Sequence, residues 1–461
     1  MKNFACGGGV AHMNKFFGGF ALSALLVSTF GQAVSAQQPN DQPYTEARDS
    51  STGSFLALSD VHLKAGTEYD CFNCETTEPL WRAARKKAGD IITANSVDFV
   101  MYLGDMPAHG QSTGPRGKDF GEVLDGLADI VSSSGVPLLY LPGNNDTIGP
   151  NYCGFDWKGT TVFDFAKTSK GDGWPIINGS SAPSSRASII DGSHLDKGFY
   201  SARLTVGQVG AEQQLRVLAL NTVVYTRRSD TSRCDQSSMT LEQRELSISR
   251  GASVQLDWVR DQLAAAETAN EPVILAMHVP PGIDGFGGGN IWGRDLDYHG
   301  DKHSDRGRWL QEVFLERITA KSDVIVGVFS GHTHLNGIRR LRSCSNNFKE
   351  LLISIPAIST DHGNFPSLKH ITLGAGLEPI GADTYHAYDA PDFPWSPGKM
   401  FSFEDNYPNS TAPAGSTLFE IIDQVPERKL FGDMMSYLYA GAKSSPKSRS
   451  YAKAIDVTCD R

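Results

Sequence analysis

The chain has 461 residues, enough for a large core in one or two domains, and its 40% hydrophobic, 20% charged composition is that of a globular protein. Its 47 glycines follow no period, which excludes a fibrous repeat. The formal net charge of −10 leaves no basic surplus for a general nucleic-acid or anionic-membrane binder.

Residues 1–36 carry Lys2 and Lys15 as their only charges, then the apolar run 16–30, then Ala33-Val34-Ser35-Ala36. A positive start, a short apolar core and small residues at the end predict a secretory signal cut after Ala36. The run contains Gly18, Gly19, Ser23, Ser28 and Thr29, so a membrane anchor is the weaker reading, and no transmembrane segment is expected after cleavage. Residues 37–53 are polar and read as a linker. Removal of Cys6 with the signal leaves Cys71, Cys74, Cys153, Cys234, Cys344 and Cys459, an even set suited to disulfides outside the cytoplasm. Their pairing is open, and Cys71 and Cys74 also fit half a zinc site or a redox pair.

From residue 55 onward, apolar runs of strand length end abruptly in chemically capable residues. Run 55–59 precedes Asp60, 99–103 precedes Gly104-Asp105, and 136–141 precedes Gly143-Asn144. Run 273–277 precedes His278, and 324–329 precedes Gly331-His332. Near-continuous apolar runs indicate strands covered on both faces. Helical patterns over 77–95, 118–134, 252–269 and 306–321 intervene, with further strands expected at 199–205, 215–221 and 351–355. Segments 153–196 and 282–305 read as surface excursions. The predicted fold is α/β, a sandwich of two sheets flanked by helices, with a catalytic domain over 54–360. Residues 361–461 read as an irregular C-terminal extension packed on it, with a strand at 417–422 and a last helix at 429–442.

In α/β sheets, ligands gather at the carboxyl ends of strands. Here those ends carry Asp60, His62, Asp105, Asn144, His278, His332 and His334. Each is weak evidence by itself, since a lone histidine is usually a satisfied core residue and Asn144 could merely make a turn. Jointly they form a mixed nitrogen and oxygen donor set suited to zinc, iron or manganese. A single bridging aspartate lets seven residues serve two ions, the arrangement that clamps both oxygens of a phosphoryl transfer.

The series Asp60-x-His62, Gly104-Asp105, Gly143-Asn144, His278 and Gly331-His332-x-His334 resembles the calcineurin-like metallophosphoesterase superfamily. The segments GDMPAH (104–109) and HVPPG (278–282) narrow the resemblance to the acid sphingomyelinase-like phosphodiesterases, over residues 55–356. The resemblance implies that Asp60, His62, Asp105 and His334 hold one divalent ion and Asp105, Asn144, His278 and His332 the other. Zinc comes first, with iron or manganese as alternatives, and a metal-bound hydroxide attacks phosphorus. His109, which ends GDMPAH, would face the substrate phosphate. Where the family has a histidine after Gly-Asn this chain has Asn145, which can hydrogen-bond but cannot deliver a proton near neutrality. The implied function is an exported phosphodiesterase acting on a small-molecule or lipid phosphodiester, sphingomyelin-like or a nucleotide, with no nucleic-acid polymer as partner. The alternatives are a phosphomonoesterase or nucleotidase on the same scaffold, and a weakly active metalloprotein that binds phospho-ligands.

Overall fold

The computed structural model describes residues 52–460 apart from 69–72, 111–112, 133, 148, 158–159, 165–166, 170–172, 179–185, 227–240, 287, 297–303, 389–393, 400, 403–405, 407–412, 414 and 441–452. The expected signal segment, nearly all of the expected linker, Cys71 and Cys234 lie outside the described residues.

The strands in chain order are β1 (Gly53–Leu58), β2 (Phe99–Tyr102), β3 (Pro137–Tyr140), β4 (Asp156–Trp157), β5 (Thr160–Thr161), β6 (Ile176–Asn178), β7 (Ala187–Asp191), β8 (Tyr200–Val206) and β9 (Gln213–Leu220). They continue with β10 (Val273–Met277), β11 (Ile325–Ser330), β12 (Ile338–Arg342), β13 (Phe348–Ser354), β14 (Ser367–Leu373), β15 (Pro379–His386), β16 (Phe401–Ser402) and β17 (Asp456–Val457). The helices are α1 (Glu78–Asn95), α2 (Thr113–Ser132), α3 (Leu241–Ala269), α4 (Leu310–Thr319), α5 (Leu418–Gln424) and α6 (Glu427–Tyr437).

One sheet runs β16-β15-β14-β1-β2-β3-β6 and the other β17-β12-β13-β11-β10-β9-β8-β7. Within them β1, β2 and β3 are parallel, as are β9, β10, β11 and β13. Alternation along these strands divides the core. Phe55, Ala57, Phe99 and Met101 pack with Ala202, Val217, Ile274 and Phe329 of the other sheet. Their neighbours Leu56, Leu58, Val100 and Tyr102 belong to the layer that holds Leu80, Ala84 and Leu127 of α1 and α2. Both faces of each central strand are therefore covered, which is why these strands read as unbroken apolar runs. The expected two-sheet sandwich with flanking helices is the fold observed.

Three expectations along the chain are corrected. Residues 417–422 do not form a strand but begin a helix. Thr417 caps α5 by accepting a hydrogen bond from the Glu420 N–H, and Glu420 accepts from the Thr417 N–H in return. That reciprocal capping box fixes a helix start, whatever the strand preference of the residues inside. The chain after residue 361 is also not irregular: β14 pairs antiparallel with β1, and β15 with β14. These strands escaped notice because β14 buries Lys369 and His370, which break the apolar run. Lys369 is fully buried and donates from Nζ to Asn336 Oδ1 at 2.5 Å, a satisfaction that arises only in the tertiary structure. The excursion over 153–196 likewise contributes strands, β6 against β3 and β7 against β8. Cys344 and Cys459 form a disulfide with each other, and Cys74 and Cys153 each take part in a disulfide of their own.

Candidate metal centre

The parallel strands β1, β2, β3, β10 and β11 all deliver their carboxyl ends to one region. Leaving the strands, the chain turns sharply. Asp60, His62, Asp105, His332 and His334 all have left-handed φ, between +47° and +69°. Such backbone is costly for residues with a Cβ and collects at functional sites. Glycine makes the close approaches possible. A Cβ on Gly143 would lie 2.2 Å from Asp105 Oδ1, and one on Gly331 2.0 Å from Ser59 Oγ.

All seven donors expected from the sequence are brought together, in two groups. In the first, His62 Nε2 and His334 Nε2 face each other at 3.1 Å, with Asp60 Oδ1 3.8 and 3.5 Å from them. In the second, His278 Nε2 lies 3.0 Å from Asn144 Oδ1 and 3.3 Å from Asp105 Oδ2, and His332 completes a group with Asp105 and His278. Asp105 Oδ2 is also 3.5 Å from His62 Nε2, so this single oxygen borders both groups. Apart from the partly buried His332, every member is buried.

Outer contacts fix how each donor points. His62 Nδ1 sits 3.2 Å from the Pro107 carbonyl and His278 Nδ1 2.6 Å from that of Leu103, which leaves Nε2 of each ring as the inward nitrogen. Asp60 Oδ2 accepts from Ser59 Oγ at 2.5 Å and from the His332 N–H at 2.9 Å. Asn144 Nδ2 donates to Asn151 Oδ1 at 2.7 Å, turning the Asn144 oxygen toward His278. The side chains fit a divalent ion in each group: buried imidazole nitrogens and carboxylate oxygens converge head-on, already oriented from behind.

The electrostatics agree. Burial alone would lower the His62 imidazole, but the Asp60 hydrogen bond and the Asp105 charge carry it up to about 10. Burial would also lower His278, which Asp105 raises to about 9. Burial would raise Asp105, but His278 and His62 hold it far below the usual carboxylate range. His334 is pushed well below its ordinary value, first by burial and then by the surrounding histidines. Positive charge is thus favoured at His62 and His278 but not at His334, and at the first two rings a proton competes for the place a metal ion can take.

Asn145 and His109 occupy different surroundings. Asn145 is fully buried, and it donates to Asp105 twice, from its backbone N–H to Oδ1 at 2.6 Å and from Nδ2 to Oδ2 at 2.9 Å. The His109 ring stacks on His62 at 4.2 Å between centroids and is about one-third exposed, at 35%. Three further residues had escaped the sequence reading. Asp146 accepts from the N–H groups of Asp105, Met106 and Gly143 at 2.7–2.8 Å, tying the Gly-Asp turn to the Gly-Asn turn. Glu75 accepts from both the backbone N–H and Nδ1 of His109 at 2.9 Å. Tyr152 places its hydroxyl 3.3 Å from His332 Nε2. For Asp146 a signal existed, a carboxylate two residues after Asn144; Glu75 and Tyr152 carry none that a lone sequence reveals.

A family model described as calcineurin-like phosphoesterase matches residues 53–336, which contain both donor groups, His109 and Asn145. The chain belongs to this family. The family is one of phosphoesterases that use two metal ions. It is similar to a Dictyostelium discoideum protein named sphingomyelinase phosphodiesterase D, with 22% identity over 319 residues, 68% of this chain and 60% of the relative. The chain thus matches about 60% of that relative's length. Among solved structures, a candidate 5'-nucleotidase from Staphylococcus aureus matches at 13% identity and a TM-score of 0.36, covering 75% of this chain and 56% of its own. The calcineurin-like phosphoesterase YfkN from Bacillus subtilis matches at 12% identity and a TM-score of 0.31, covering 76% and 89%.

Proposed function

We propose that this calcineurin-like phosphoesterase is an exported phosphodiesterase that works with two divalent ions, zinc first and iron or manganese as alternatives. Asp60, His62, Asp105 and His334 would hold one ion, and Asp105, Asn144, His278 and His332 the other. The observation that carries this reading is Asp105 Oδ2, 3.5 Å from His62 Nε2 and 3.3 Å from His278 Nε2. When bound, such ions neutralise phosphoryl charge and acidify a water nucleophile. The chain's part is to orient the donors, through Ser59, Pro107, Leu103 and Asn151, and to hold the bridging carboxylate through Asn145. His109 lies beside the first group, partly exposed, and acts on the substrate phosphate. The diester preference is supported by the name of the Dictyostelium relative, and its substrate would be a small-molecule or lipid phosphodiester. Export is supported by the start of the sequence and by the disulfide-bonded Cys74, Cys153, Cys344 and Cys459. Among the described residues no helix is long and apolar enough to cross a membrane.

Asp105→Asn removes the shared negative charge and should deplete both ions, read as metal per chain by elemental analysis. Two ions retained in full would discard the bridging assignment. Comparing bis(p-nitrophenyl) phosphate with p-nitrophenyl phosphate tests the substrate class, and faster turnover of the monoester would replace the diesterase reading with a phosphomonoesterase.

A further inference from the structure

The geometry points to Glu75 as a positioning residue that holds His109 in its working orientation. This inference rests on the reading of His109 as the group that acts on substrate. One carboxylate oxygen, Glu75 Oε1, accepts both the backbone N–H and Nδ1 of His109, each at 2.9 Å. Two bonds from one residue to one atom fix the loop and the ring together. They leave Nε2 as the nitrogen free to meet a ligand, and the ring lies flat on His62, 17° from parallel.

Glu75 is itself held on both sides. Before it, Cys74 is disulfide-bonded, its N–H donates to Thr360 Oγ1 at 3.1 Å, and its carbonyl lies 3.1 Å from the same hydroxyl. After it, the Thr76 N–H donates to the carbonyl of His62 at 3.1 Å, and the Lys64 N–H donates to the Thr76 carbonyl at 2.9 Å. The C-x-x-C motif therefore has a role the site did not absorb: its second cysteine anchors the residue that steers His109. Glu75 Oε2 is buried with no hydrogen-bond partner among the described residues, so the oxygen that is used is the one turned to His109. Asp361 stands farther off, 3.9 Å from His109 Nδ1, too far to share that bond.

The test compares Glu75→Ala, Glu75→Gln, His109→Ala and the Glu75→Ala/His109→Ala double variant, with glycerophosphocholine, whose alkoxide leaving groups need a proton, as substrate and metal content measured in each. Loss of a group that acts directly lowers kcat by about 10²–10⁴-fold, and His109→Ala should fall in that range. Misplacing such a group costs up to about 10²-fold, so Glu75→Ala should lose about 10–100-fold in kcat with KM and metal content near wild type. Gln keeps an oxygen that can accept the same two bonds, so Glu75→Gln should recover most of the rate. The double variant should be no slower than His109→Ala, because Glu75 acts only through His109. Unchanged turnover in His109→Ala would sink the reading of His109 itself. A slow His109→Ala beside an unaffected Glu75→Ala would overturn the Glu75 inference alone. So would equal losses from Glu75→Ala with and without His109, or loss of metal on removing Glu75. Should Glu75→Ala fail to fold, a Glu75→Gln enzyme as slow as His109→Ala overturns it too.

Discussion

Replacing Asn145 by alanine separates two jobs for this position. The resemblance aligns Asn145 with a histidine that serves the leaving oxygen, whereas its contacts run to Asp105. Its side chain is fully buried and donates from Nδ2 to Asp105 Oδ2 at 2.9 Å, the oxygen that borders both donor groups. Alanine keeps the backbone N–H bond to Oδ1 but removes this one. A hydrogen bond to a charged partner contributes about 1.5–3 kcal/mol, so at about 1.4 kcal/mol per decade metal should be held about 10–150-fold more weakly. Outer partners of metal ligands typically matter at the same scale, about 10–100-fold. The assay is metal per chain after equilibration against graded chelator, followed by kcat with metal restored in excess. If Asn145 positions Asp105, affinity falls and most of the rate returns with saturating metal. A variant that holds both ions as tightly as the parent yet turns over slowly would refute this reasoning and return Asn145 to the substrate side.

Strong chelation should abolish activity and Zn²⁺, Mn²⁺ or Fe²⁺ should restore it; an active metal-free protein would end the metalloenzyme reading. Since Asp60 and Asp105 raise His62 to about 10, and Asp105 raises His278 to about 9, both rings carry protons at pH 7 that a metal must displace. Loading should therefore release protons and weaken as pH falls, seen as calorimetric heats that depend on the buffer's ionisation enthalpy. Gly331→Ala puts a Cβ 2.0 Å from Ser59 Oγ and 2.9 Å from Asp60 Oδ2, and should cost about 1–3 kcal/mol of stability and loosen metal at the first group, read by thermal unfolding and elemental analysis. Breaking the Cys344–Cys459 bond, which closes a separation of 115 residues, should lower unfolding free energy by about 2–5 kcal/mol in denaturant while leaving metal content intact.

The seven candidate donors could be picked out in the sequence because each lies at the end of an apolar run, and a parallel sheet makes strand ends neighbours without further information. The helix–strand order and the two-sheet sandwich were legible for the same reason: strands buried on both faces leave unbroken apolar runs, and amphipathic helices leave a 3.6-residue period. What the sequence could not express is anything settled by contact across distance. β14 became a central strand because Lys369 found Asn336, a partner 33 positions away, and no periodicity records that. The start of α5 was written locally in Thr417 and Glu420, where capping prevails over strand preference. Asp105 could be named as a donor from its Gly-Asp turn, but its place between His62 and His278 depends on how the two sheets face each other. Likewise His109 was visible in its motif, while Glu75, 34 positions earlier, meets it only because the loops after β1 and β2 fold side by side. Residue type and local order determined which chemistry was available; the packing of two sheets decided which atoms share it, because hydrogen bonds and charges act over a few ångströms of space irrespective of distance along the chain.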